Sequence, residues 1–287
     1  MSRTTLSRTA LRTLAVGAAL ALSVGLAACQ GTGPATPSEE PTGPEYITEG
    51  KLTIGTGEPA YFPYVIDDKP ESGEGFEAAV AYAVAEQLGF AADDVVWVRT
   101  GFDEVIAPGP QNFDFNLQQF SITDERKQQV DFSSPYYQAT QAVITVEGSA
   151  AADATSIADL KDLLIGAATG TTSLQAIEQT IQPTQGAQVF NNNDDAKAAL
   201  ENGQVDAIVV DLPTAFYITG VELDGGKIVG QLPATAGISD EWGLLLAKDS
   251  SLTADVTAAV DALRESGKLD EIAAQWLGAD AGAPVLN

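Results

Sequence analysis

Arg126 occupies a position that helix stability reserves for the opposite charge. In F-S-I-T-D-E-R, residues 120–126, Thr123 is a good helix N-cap, and Asp124 and Glu125 suit the positive end of a helix dipole. A capping box would place Glu or Gln three residues after the cap, where this chain has arginine. A guanidinium beside the Ser121 and Thr123 hydroxyls can grip a carboxylate through two parallel hydrogen bonds. The competing reading is a surface arginine on a short helix.

Three further groups complement that one. Gly170-Thr171-Thr172 follows an apolar run and opens a predicted helix, whose free N–H groups suit the same carboxylate. No lysine follows the turn, so it is not a phosphate-binding P-loop. Asp211 ends the apolar run 205–210, placed either to pair an ammonium or to cap the helix that Pro213 starts. Tyr61, in A-Y-F-P-Y, and Phe102, in G-F-D-E-V-I, either clamp an aliphatic stem or belong to the core. A carboxylate grip, an ammonium partner and an aromatic clamp together describe an α-amino acid.

The elements that carry these groups alternate. Strands are predicted at 51–55, 95–98, 115–122, 163–168, 188–190, 205–210 and 243–247, with helices at 76–88, from 171 through 181, and at 194–200, 215–218, 252–265 and 268–276. Phe76, Val80, Val84 and Leu88 recur every four residues, and Gln118 and Gln119 interrupt the third strand. Alternating strand and helix implies parallel sheets with ligands at the carboxyl ends of strands, where each group above falls.

The ends and the composition narrow the function. Arg3, Arg8 and Arg12 precede an apolar run over 13–28, too short for a comfortable membrane span, which closes Leu26-Ala27-Ala28-Cys29. This reads as a lipoprotein signal, with Cys29, the only cysteine, as the lipidation site. The Gly-, Pro-, Thr- and Glu-rich stretch that follows reads as a tether. Fourteen basic residues against forty acidic give −26, or about −29 without the three signal arginines. Nucleic acid and anionic membrane surfaces are disfavoured as partners, because phosphate binding needs clustered cations. With no histidine in the chain, Ser-His and Cys-His catalysis and most transition-metal sites are unavailable, so no metal and no cofactor are expected.

The order of the motifs adds to this reading. I-G-T with a following aromatic and proline (54–63), G-F-E (75–77), F-D (102–103), S-I-T-D-E-R (121–126), D-F-S-S-P-Y (131–136), D-L-K (159–161), G-T-T (170–172) and D-A-I-V-V-D (206–211) occur in succession. That series resembles the amino-acid-binding family of solute receptors that feed ABC importers, over about residues 50–278. The resemblance implies an α/β, two-lobed periplasmic-binding-protein-like (type II) fold, each lobe a mostly parallel sheet flanked by helices. Two crossovers, near 139–146 and 237–245, would join the lobes. It divides the chain into a signal peptide at 1–28, a tether at 29–49, lobe 1 at 50–140 and 243–278, lobe 2 at 141–242 and a tail at 279–287.

Carried onto this chain, the resemblance assigns the ligand α-carboxylate to Arg126, Ser121, Thr171 and Thr172. It assigns the ammonium to Asp211 and the backbone carbonyl of Gln119, and the side chain to Tyr61 and Phe102. Glu58 and Gln118 stand as specificity residues, which favours an uncharged polar or a basic side chain. The implied function is capture of a free amino acid by a monomeric, lipid-anchored receptor outside the cytoplasmic membrane, by hinge closure, and its delivery to an ABC permease. A secreted dehydratase-type enzyme on the same fold is the alternative.

Overall fold

A computed structural model describes residues 44–234, 241–278 and 283–287. Cys29 and the signal-like segment lie outside the described residues, as do residues 237–240 of the expected second crossover. Among the described residues, no helix is long and apolar enough to cross a membrane, and no group of three acidic, cysteine or histidine side chains is arranged to hold a metal.

The chain builds β1 (Leu52–Gly57), α1 (Phe76–Gln87), β2 (Val95–Thr100), α2 (Phe102–Ile106), β3 (Phe115–Leu117), β4 (Val130–Gln138) and β5 (Gln141–Val146). It continues through α3 (Ile157–Leu160), β6 (Ile165–Ala168), α4 (Thr172–Ala176), β7 (Gln188–Phe190), α5 (Asn193–Glu201), β8 (Ala207–Asp211) and α6 (Leu212–Tyr217). β9 (Gly226–Gln231), β10 (Glu241–Ala247), α7 (Thr253–Glu265) and α8 (Lys268–Trp276) complete it. Two five-stranded sheets result, in the orders β2-β1-β3-β10-β4 and β7-β6-β8-β5-β9. Three neighbouring strands of each sheet run parallel, and two more join antiparallel. The molecule therefore has two α/β lobes, as the alternation of elements implies.

Burial explains why these segments become strands. Every residue of β1 is buried: Leu52 and Ile54 face the core formed with α1 and α7, while on the other face a Cβ on Gly55 would meet Asn116 and Phe113. In the second lobe the faces alternate by residue. Val143 and Val209 enter the core with Ile165 and Ile177, while Ile144, Ile208 and Val210 enter the opposite core with Ala196 and Leu200. The first lobe is centred on Phe76, Val80, Phe115, Leu244 and the fully buried Trp242.

Four expectations need correction. Residues 45–49, assigned to the tether, are docked on the first lobe. Tyr46 packs edge-on to Phe90 at 5.0 Å, and the Ile47 N–H donates to the Asp114 carboxylate at 2.8 Å. Asp114 is buried and also accepts from the Thr53 N–H, so the segment satisfies an acid the sheet cannot leave bare. Glu241 and Trp242, assigned to lobe 2, open β10 and pair with β4 in the first sheet. The third strand stops at Leu117 rather than 122, because Gln119 adopts a left-handed backbone (φ 51°) that a strand cannot continue through.

The fourth correction concerns the tail. Val285 pairs with Gln231 of the second sheet, and Leu286 sits in that lobe's core at 2% exposure. Gln231 N–H donates to Pro284 O at 2.7 Å, Leu286 N–H to Gln231 O at 2.8 Å, and Ile157 N–H to Asn287 O at 3.1 Å. α8 itself packs on α1 and α7 of the first lobe. The two lobes are thus linked a third time. Leu286→Ala should lower unfolding stability by about 2 kcal/mol through cavity formation. Urea denaturation checks this, and an unchanged midpoint would mean the tail is not held.

Candidate ligand-binding site

The carboxyl ends of β1, β3, β6 and β8 converge between the lobes on a cavity of about 110 Å³. Its walls bring together Tyr61, Phe102, Gln118, Gln119, Ser121 and Arg126 from the first lobe with Thr171, Thr172 and Asp211 from the second. Glu58 is exposed and does not line the cavity; its neighbours Pro59 and Ala60 do.

The stretch 120–126 does not start a regular helix. Thr123 Oγ1 accepts the Arg126 N–H at 3.1 Å, and Arg126–Gln128 form one 3-10 turn before β4 begins at Val130. That leaves no room for a second turn, and the tight geometry turns Arg126 inward. Arg126 is 6% exposed, and its guanidinium donates to Ser121 O at 2.7 Å and across the cleft to Gly170 O at 3.0 Å. It lies 5.4 Å above the Phe102 ring, which stacks on Phe120 at 4.9 Å. Phe102 is therefore also the platform under the arginine. Among the described residues no carboxylate comes within ion-pair distance of Arg126. Burial lowers its pKa to about 10, against the opposing pull of Asp211, Glu125 and Asp103.

On the opposite wall, Gly170 has φ 70°, and a Cβ there would stand 2.3 Å from an Asp103 oxygen of the other lobe. Only glycine meets both the backbone and the approach. Thr171 caps α4, its hydroxyl accepting from Leu174 N–H at 3.1 Å and donating to Ala168 O at 2.7 Å. The Thr171 hydroxyl is thus engaged within its own turn. Thr172 Oγ1 meets Ser121 Oγ at 3.1 Å across the cleft. Asp211 makes no side-chain cap on α6; its Oδ1 accepts from Gln141 Nε2 at 2.7 Å. The capping reading of Asp211 is set aside on that geometry.

Several residues bearing on the site carry no obvious sequence signal. Glu77, 2% exposed, lines the cavity and accepts from the Gln119 N–H at 2.7 Å, the Gln119 side-chain amide and the Tyr136 hydroxyl. The Gln119 side chain is thereby folded back onto the first lobe. Gln118 is held by Thr100 and Asn116 at 2.7 and 3.1 Å. Past Tyr61 and Asn193 a second chamber of about 220 Å³ is lined by Asp194, Lys197, Tyr217 and Glu222. The Tyr61 hydroxyl is buried near Asp194 without closing a hydrogen bond of normal geometry, and burial first, then Asp194, raises its pKa. The Phe62 and Tyr217 rings pack against each other across the cleft, tilted by 31° with centroids 4.2 Å apart, and Tyr64 Oη meets Thr214 Oγ1 at 2.8 Å.

The model of the bacterial extracellular solute-binding proteins, family 3, matches residues 52–279. The chain belongs to that family. This family 3 protein is 31% identical over 248 residues to the L-arginine-binding protein of Pseudomonas aeruginosa, across 83% of this chain and 92% of the relative. Among solved structures it resembles an ancestral arginine-binding protein bound to glutamine, with TM-score 0.67, 31% identity, and coverage of 81% of this chain and all of the other. It also resembles an ancestral amino-acid-binding protein that is a precursor of cyclohexadienyl dehydratase, with TM-score 0.65, 29% identity, and coverage of 79% and 95%. These likenesses, with the two sheets, make this a two-lobed type II periplasmic-binding-protein fold and support a solute-binding role. The relatives named as binding proteins point away from an enzyme.

Proposed function

We propose that this protein is an exported lipoprotein, anchored through Cys29, that captures a polar α-amino acid between its lobes and hands it to an ABC permease. The observation that carries the reading is the charge arrangement of one cavity between the lobes. Among the described residues, a buried guanidinium with no carboxylate within ion-pair distance comes from one lobe, and a carboxylate that accepts from the Gln141 amide comes from the other. An α-amino acid supplies the two opposite charges this arrangement wants. Contacts to both lobes exist only when the lobes meet, so binding favours the closed form. The protein acts as a monomer, and the permease reads that closed form.

The second chamber supports a polar side chain of some length. A side chain passing Tyr61 meets Asn193, Asp194 and Glu222 with one lysine between them, which suits an amide, guanidinium or amine better than an aliphatic group. Arginine and glutamine, the ligands in the relatives' names, have this chemistry. In a thermal-shift screen of the proteinogenic amino acids and cystine, polar or basic members should stabilise the protein. A ligand at a hundred times its Kd adds about 2.7 kcal/mol. Selective stabilisation by leucine or phenylalanine overturns the side-chain assignment.

The dehydratase precursor among the similar structures gives an enzyme reading one foothold. A dehydratase needs a proton donor at the cavity, and Glu77 lines it with its pKa pushed up to about 7 by burial. Both Glu77 oxygens, however, already accept hydrogen bonds from Gln119 and Tyr136, which favours a structural role. Turnover of prephenate by the purified protein would restore the enzyme reading.

A further inference from the structure

We infer that Gln141, which does not line the cavity, is the positioning residue that holds the second lobe's half of the site in its binding geometry. The inference rests on the reading of Asp211 as the ammonium partner. Gln141 is the first residue of β5, where the chain has just entered the second sheet, and it pairs in register with Asp211 of β8. Residues opposite each other on antiparallel strands point to the same face, so the amide and the carboxylate are neighbours by construction.

One side chain then orders three others. Gln141 is 4% exposed; its Nε2 donates to Asp211 Oδ1 at 2.7 Å and to Thr172 Oγ1 at 3.4 Å, while its Oε1 accepts from Ser173 Oγ at 2.6 Å. The amide's orientation is forced, because an ionised carboxylate can only accept. Thr172 in turn meets Ser121 across the cleft, so the network runs from the crossover to the contact between lobes. Its backbone is tied in as well, Gln141 O accepting from Leu232 N–H at 2.8 Å.

The neutrality of this donor matters. A lysine or arginine at 141 would hold Asp211 equally well but neutralise it, and would compete with the ligand's ammonium. An amide fixes the carboxylate's direction without adding a positive charge of its own.

A double-mutant cycle with L-arginine and L-glutamine as probes, read by calorimetry, tests this. Gln141→Leu, which keeps the bulk and removes the amide, should weaken binding roughly ten- to a hundredfold in the wild-type background. In an Asp211→Ala background the same change should cost less than about threefold. Gln141→Lys should abolish detectable binding while the protein stays folded by circular dichroism. Melting temperatures of all variants separate a loss of fold from a loss of positioning. Equal losses in both backgrounds, or tight binding by Gln141→Lys, overturn the inference while leaving the ammonium site intact. An Asp211→Ala protein that binds as wild type, or a wild-type protein that binds no amino acid, overturns the proposed function and this inference with it.

Discussion

Replacing Arg126 with alanine should weaken amino-acid binding by about 2–5 kcal/mol, from roughly thirtyfold to several thousandfold. The size follows from burial. The guanidinium is nearly out of water, already lowered in pKa, and is supported among the described residues by Ser121 O, Gly170 O and the Phe102 face. A carboxylate entering beside it meets a charge that water does not screen. Asp211→Ala should cost a comparable amount through the ammonium. Arg126→Lys should recover only part of the loss, since one ammonium cannot serve two carbonyls and a carboxylate in a planar fork. Calorimetric titration on the folded fraction of each variant decides it. Near-wild-type affinity in both alanine variants would remove the site.

Glu77 should make the stability of the protein fall between about pH 4.5 and pH 7. Burial raises its pKa from 4.5 to about 7, although the hydrogen bonds from Tyr136 and Gln119 pull the other way. The folded state therefore holds a proton across that interval which the unfolded chain has already released. The associated stability is complete below about pH 4.5 and is lost as the pH rises through about 7, in total about 3 kcal/mol. Glu77→Gln should remove this dependence. Its carbonyl can accept from the Gln119 N–H and Tyr136, and the Gln119 amide can turn over to offer its oxygen. Urea unfolding of both proteins at pH 4.5, 7 and 8.5 should show Glu77→Gln gaining on the wild type as the pH rises. Parallel curves would show that Glu77 titrates normally.

The alternation of strands and helices was legible because the apolar runs are distinct, and α8 has the predicted bounds. Arg126 was legible because it breaks a helix-start pattern, although what replaces the helix is one tight turn. β4 was hidden by Ser133, Ser134 and Pro135, a run that reads as a loop. It survives as a strand because it lies at the sheet edge and its pairing with β10 shifts register there, so the missing proline N–H costs little. Glu77 was hidden for another reason. An acid in the first turn of a helix is ordinary on a surface, and only the packing of Tyr136 and Gln119 over it reveals the burial. Gln141 looks like the polar lead-in to an apolar strand, and its three partners lie 31, 32 and 70 residues away in the chain. The second chamber depends on the meeting of Phe62 with Tyr217, which no local pattern encodes.

The returning tail has a consequence for the time at which the molecule can fold. β10 lies between β3 and β4, so the first sheet lacks an inner strand until residue 247 is available. The second lobe lacks Leu286 until residue 286 is available. A chain emerging amino end first, from a ribosome or a translocation pore, can finish neither lobe early. Both are completed almost together, once the chain through residue 286 is free.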